Sequence, residues 1–166
     1  MIVLGIDPGT ASTGFGVVRS EGSRLRALAA GVIETRAGVA LESRLADIHL
    51  AVGELIDDHR ADAIAIEELY FGANVRTAFA VGQARGVVLL AAGQRGVPSQ
   101  SYTPQQVKAA VCGSGRADKG QVGRMVARLL GLDEVPRPDH AADALAVAVC
   151  AVNRAPLARA VEVARG

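Results

Sequence analysis

Residues 2–16, IVLGIDPGTASTGFG, constrain this chain more than any other stretch. Ile2–Ile6 is a continuous apolar run, β-branched at three of its five positions. A run that short, closed by Pro8-Gly9, predicts a strand buried on both faces. Asp7 stands where that strand leaves the core. A carboxylate is expensive to bury unpaired, so it needs hydrogen bonds, a cation or water. Asp7 is therefore either a turn-starting residue before Pro-Gly or one corner of a charged site.

The rest of the chain decides how that strand is surrounded. Gly14–Ser20 and Leu25–Thr35 read as two more strands joined by the turn Glu21-Gly22-Ser23, giving an antiparallel meander. Leu41–His59 carries apolar residues at helical spacing. Asp62–Glu67 is a fourth strand, again ending in a carboxylate. Asn74 is a candidate cap for a long helix over 75–95. Val97–Tyr102 is a fifth strand, and Thr103-Pro104 opens a helix through Val111. Asp118 caps a helix to Leu130, stopped by Gly131. After the stiff Pro136–Pro138 linker, Asp139 or the residue before it starts a last helix through Val152. These elements predict an α/β fold: a mixed five-stranded sheet, part meander and part parallel, with helices on both faces and the first strand central. One domain over residues 1–155 is expected, with a frayed tail over 156–166.

The chain has 166 residues and is half apolar, so one sizeable core needs no disulfides. Cys112 and Cys150 lie far apart, the usage of a reduced cytoplasmic protein. No stretch has the length of a membrane span without polar interruption, and the first apolar run is too short for a signal peptide. A net charge of +1 hides a division. Residues 72–132 hold 8 basic side chains and one acid, Asp118, whereas residues 1–71 hold 6 basic and 11 acidic. The basic third suits a phosphate-facing surface. It also holds the only two lysines, Lys108 and Lys119.

Glu67 and Glu68 end the fourth strand, and neighbours in a strand point to opposite faces. Only one of them can therefore share the side of Asp7. His140 and Asp143, at i and i+3 in DHAADALAVAV, fall on one helical face that continues into apolar residues. A polar pair opening a helix that must pack on the sheet is awkward unless it binds something. Histidine and carboxylates drawn from separate elements toward one sheet edge make a candidate divalent-metal site.

Five stretches carry a resemblance: GIDPGTASTGFGVV at 5–18, AIEELYFGAN at 65–74, GQARGVVLLAA at 82–92, QQVKAAVCGSGRADKGQV at 105–122 and DHAADALAVA at 139–148. Together they resemble the RuvC-type Holliday-junction resolvases of the ribonuclease H-like fold. That resemblance implies an endonuclease that nicks four-way DNA junctions symmetrically, leaving 5′-phosphate and 3′-hydroxyl ends. It implies Asp7, Glu67, His140 and Asp143 as the catalytic metal site for Mg²⁺ or Mn²⁺, two ions per subunit, with Lys119 assisting. An aspartate stands at the place of His140 in many members, and a neutral imidazole there favours Mn²⁺. The implied partners are junction DNA, a second copy of the chain and the RuvA–RuvB branch-migration machinery.

DNA contacts are expected from Tyr70, Phe71, Asn74, Arg76, Lys108, Arg116, Lys119 and Arg124. Aromatics beside a nucleic-acid site stack on unpaired bases, and the resemblance implies that Tyr70 wedges into the junction. Two rival readings differ in class. One is a non-catalytic junction-binding module. The other is an actin-like phosphotransferase, which IDPGT…TGFG also resembles but which needs two such domains. Gly113–Gly120 does not match G-x-x-x-x-G-K-[ST], and Gly14-x-Gly16 lacks the third glycine of a dinucleotide fingerprint.

Overall fold

The computed structural model describes residues 1–68 and 75–165, with side chains for all of these except Arg76 and residues 156–165. Five strands form one sheet in the order β3-β2-β1-β4-β5. The strands are β1 (Ile2–Asp7), β2 (Ser12–Glu21), β3 (Arg24–Glu34), β4 (Ala63–Glu67) and β5 (Ser99–Tyr102). β1 pairs antiparallel with β2 and parallel with β4, so it is central and the sheet is mixed. The helices are α1 (Leu41–His59), α2 (Val75–Gln94), α3 (Pro104–Cys112), α4 (Lys119–Leu130) and α5 (Asp139–Arg165).

Alternation along β1 separates two cores. Leu4 and Ile6 pack with Val17, Ile64 and Ile66 under α1 and α2. Val3, on the opposite face, packs with Val18, Ala65 and the apolar residues of α3, α4 and α5. Residues Ala144–Val152 of α5 are buried all round, because sheet lies on one side and α3 with α4 on the other.

Local chemistry sets most boundaries. Thr103 and Asp118 each close a capping box, with Gln106 and Gln121 three residues on. Gly113 and Gly131 end α3 and α4 in the left-handed region, at φ 74° and 67°. β5 begins at Ser99 rather than Val97. The Val97 amide donates to the Ala92 carbonyl at 3.1 Å and closes the end of α2 around Gly96, so it is taken by the helix. Asp62 likewise stays outside β4: its carboxylate accepts from the Ile2 amide at 2.6 Å. α5 extends past Val152 to Arg165, through residues that are mostly strong helix formers. The position suggested as the cap of α2, Asn74, lies outside the described residues.

Candidate active site

Asp7 is the last residue of β1, and its neighbour across the sheet is Gly14. α5 crosses directly over this pair. A Cβ at Gly14 would overlap the carbonyl oxygen of His140, and one at Gly5 would overlap that of Ala144. Only glycine at these two positions lets the helix backbone lie on the sheet. That close approach brings the first turn of α5 to the end of β1. His140 Nδ1 stands 2.6 Å from Asp7 Oδ2. The Asp7 side chain is 18% exposed and that of His140 53%, so the pair lies at the mouth of the site.

Glu67 ends β4 on the face of Ala65, which belongs to the α5 side. It shares a side-chain hydrogen bond with Asp7. Glu68 falls on the other side of the alternation and is exposed, while its amide donates to the Tyr102 carbonyl at 2.8 Å. Lys119, the first residue of α4, reaches across to α5. Its Nζ lies 3.1 Å from Asp143 Oδ2 and 3.2 Å from Asp139 Oδ2. The first helical bond of α5 is accepted by the Pro138 carbonyl, which makes Pro138 the cap and frees the Asp139 carboxylate for Lys119.

The electrostatics are those of crowded acids. Burial pushes the Glu67 carboxyl up to about 8, and the charges of Asp7 and Asp143 add to the rise while Lys119 opposes it. Burial also raises Asp7, against the hydrogen bond and charge of His140. Glu67 therefore holds a proton near neutrality and donates it to the Asp7 carboxylate. For Lys119, burial works against the ammonium, but the hydrogen bonds to Asp143 and Asp139 outweigh it and raise its pKa.

The structure thus gathers Asp7, Glu67, His140, Asp143 and Lys119 at one sheet edge. Lys108 joins them: with Glu67, Lys119 and Asp143 it lines a cleft of about 250 Å³ floored by Val107, Val122 and Ala146. Arg116 and Arg124 do not; they line a separate cleft of about 510 Å³. Tyr70, Phe71 and Asn74 and the side chain of Arg76 lie outside the described residues. Two features escaped the sequence reading. Asp139, read only as a possible start of the last helix, is an ion-pair partner of Lys119. Gly14, dismissed with a failed nucleotide motif, is the seat of α5; glycines at alternate strand positions 14 and 16 were the available signal.

A mixed sheet in this order, with an acid cluster where the central strand ends, defines the ribonuclease H-like class. The family model described as crossover junction endodeoxyribonuclease RuvC matches residues 3–151. The protein of that description from Rubrobacter xylanophilus is 56% identical over 149 residues, covering 90% of this chain and 83% of that one. Its namesake from Moorella thermoacetica is 54% identical over 156 residues, covering 94% and 93%. Among solved structures, T. thermophilus RuvC in complex with Holliday junction substrate superposes with a TM-score of 0.92 at 42% identity, covering 95% of this chain and 96% of that one. The chain belongs to the RuvC family of crossover junction endodeoxyribonucleases.

Proposed function

We infer that the chain resolves four-way DNA junctions by paired, symmetric, metal-dependent nicks that leave 5′-phosphate and 3′-hydroxyl ends, in homologous recombination and repair. The observation that carries this reading is the gathering of Asp7, Glu67 and Asp143 at one end of the sheet, where burial first, and then the charges of the other two, push the Glu67 carboxyl up to about 8.

The donor chemistry of the site suits a divalent cation. Among the described residues no three such side chains are arranged around a common ion. Each is turned onto a neighbour instead: His140 and Glu67 onto Asp7, Lys119 onto Asp143. Asp7, Glu67, Asp143 and His140 would hold two ions, Mg²⁺ or Mn²⁺. When bound, such ions lower the pKa of water and stabilise the attacking and leaving oxygens of an in-line displacement. The chain's own groups do the rest. Glu67 must first give up the proton it shares with Asp7. His140 fixes the orientation of the Asp7 carboxylate. Lys119, already at the rim of the cleft, neutralises charge developing on the phosphate. Lys108 lines the same cleft and binds the phosphodiester backbone.

Two symmetric cuts need two sites related by a dyad, which a twofold dimer supplies. Support for a homodimer comes from α2. Val75, Phe79 and Leu90 are 79%, 70% and 54% exposed. Gly82, Gly86 and Gly93 leave open space where a side chain would stand. An exposed apolar stripe on one helix, flattened by glycines, is the surface of a partnered element. Among the described residues no helix is long and apolar enough to cross a membrane. A cytoplasmic location and cooperation with the RuvA–RuvB machinery complete the reading. The test is nicking of a synthetic four-way junction against linear duplex of the same sequence, with and without divalent metal.

A further inference from the structure

The acid site is served from one side of α4. By helical geometry, the direction shared by Lys119 and Val122 lies roughly 140° around the axis from the mean direction of Gln121, Arg124, Met125 and Arg128. The latter four line the 510 Å³ cleft, together with Arg116 of the α3–α4 loop. Arg128 also lines the next cleft, of about 550 Å³, together with Arg24 and Arg26 of β3. The two clefts thus join into one track that runs from the α3–α4 loop, over the outer face of α4, to the start of β3.

Among the described residues, five arginines line this track, and no aspartate or glutamate lines either cleft. All five are exposed, and none has a side-chain hydrogen bond or ion pair among the described residues. Asp118, whose charge reaches Cys112 in the first cleft, is occupied in capping α4. Arg128 alone would be explained by its place in the last turn of α4, where a cation favours the helix dipole. That explanation does not extend to Arg24 and Arg26 on a strand. The charge counts along the chain conceal the track, because these two arginines come from the acidic first third.

We propose that this track binds the phosphate backbone of an uncut duplex arm of the junction, at a site distinct from the one that holds the scissile phosphate. The proposal rests on the junction-cleaving function inferred above. A helix with its side chains is on the order of 10 Å across, so one phosphate cannot touch the acid site and the track together. A row of unpaired guanidinium groups matches repeated phosphates, because each forks to two oxygens and never loses its charge. Such contacts position an arm without reading its sequence.

The experiment measures junction affinity against salt for wild type and for the triple variant Arg24→Gln/Arg26→Gln/Arg128→Gln, using junctions with long arms and with arms trimmed stepwise. On long arms the triple variant should lower the slope of log K against log salt by about 2 to 3. The wild-type advantage at 50 mM salt then exceeds that at 200 mM by roughly 15- to 60-fold. On arms too short to reach the track, the difference should vanish. The lysine triple variant at the same positions keeps the charge and should restore the slope; thermal unfolding of both variants checks that they fold. A wild-type slope in the glutamine variant would overturn the proposal and leave the track to an acidic protein partner. A deficit of equal size on the shortest arms would overturn it too, by placing these arginines at the junction core. If the wild type neither binds nor cuts junctions, the function inferred above fails, and the two failures are thereby told apart.

Discussion

Removing the proton-holding acid should make the protein more stable and useless as a nuclease. Glu67 titrates at about 8 in the folded protein, against an ordinary value of 4.5. Between those values the folded state holds a proton that the unfolded chain has lost. Stability is therefore full below about pH 4.5 and falls as pH rises through 8, the reverse of a salt-bridged carboxylate. At 1.36 kcal/mol per pH unit, the whole interval corresponds to about 5 kcal/mol, and the part from pH 5 to pH 8 to about 4 kcal/mol. Glu67→Gln keeps the shape and a donor for Asp7 but cannot ionise. In metal-free buffer its melting temperature should gain on the wild type by about 8 to 16 °C as pH goes from 5 to 8, at 2–4 °C per kcal/mol for a chain of this size. Thermal unfolding of both proteins in EDTA at several pH values measures it. A constant offset between the two curves across that range would refute the burial of Glu67 beside Asp7 and Asp143.

Other expected outcomes follow from the same geometry. Gly14→Ala sets a methyl against the His140 carbonyl and lifts α5 from the sheet; it should cost about 1–3 kcal/mol in urea unfolding and reduce cleavage more than junction binding. Lys119→Ala should slow single-turnover nicking far more than it weakens binding in a gel-shift titration; equal losses would reduce Lys119 to a phosphate anchor. Phe79→Asp, on the exposed stripe of α2, should convert a dimer into a monomer by sedimentation, with paired nicking lost.

Much of the fold was legible because its elements announce themselves locally. The buried run before Asp7, the helical spacing of α1 and the Thr103 and Asp118 caps each depend on a few adjacent residues. The candidate site was legible for a different reason. Polar residues at Asp7, Glu67, His140 and Asp143 interrupt apolar segments where burial would otherwise be costly. What the sequence could not show depends on contacts between distant segments. The Lys119–Asp139 pair joins two helix starts, which no spacing within one helix predicts. The use of Gly14 by His140 needs the register of β2 on β1. Arg116 and Arg124 look equivalent to Lys119 in a basic stretch, yet helical rotation puts them on another face of α4. The start of β5 shifted because the Val97 amide was taken by a helix end.

The most direct measurement of the central claim is the initial nicking rate of a four-way junction by wild type and Asp7→Asn, with junction affinity measured alongside. Asp7 is the residue that His140, Glu67 and the end of β1 share. Affinity rests mainly on basic contacts to phosphate, so Asp7→Asn should bind junctions about as tightly as wild type. Its nicking in Mg²⁺ or Mn²⁺ should be abolished, since an amide lacks the carboxylate charge that would hold a divalent cation. Cleavage by Asp7→Asn at the wild-type rate would contradict a reaction centred on this cluster.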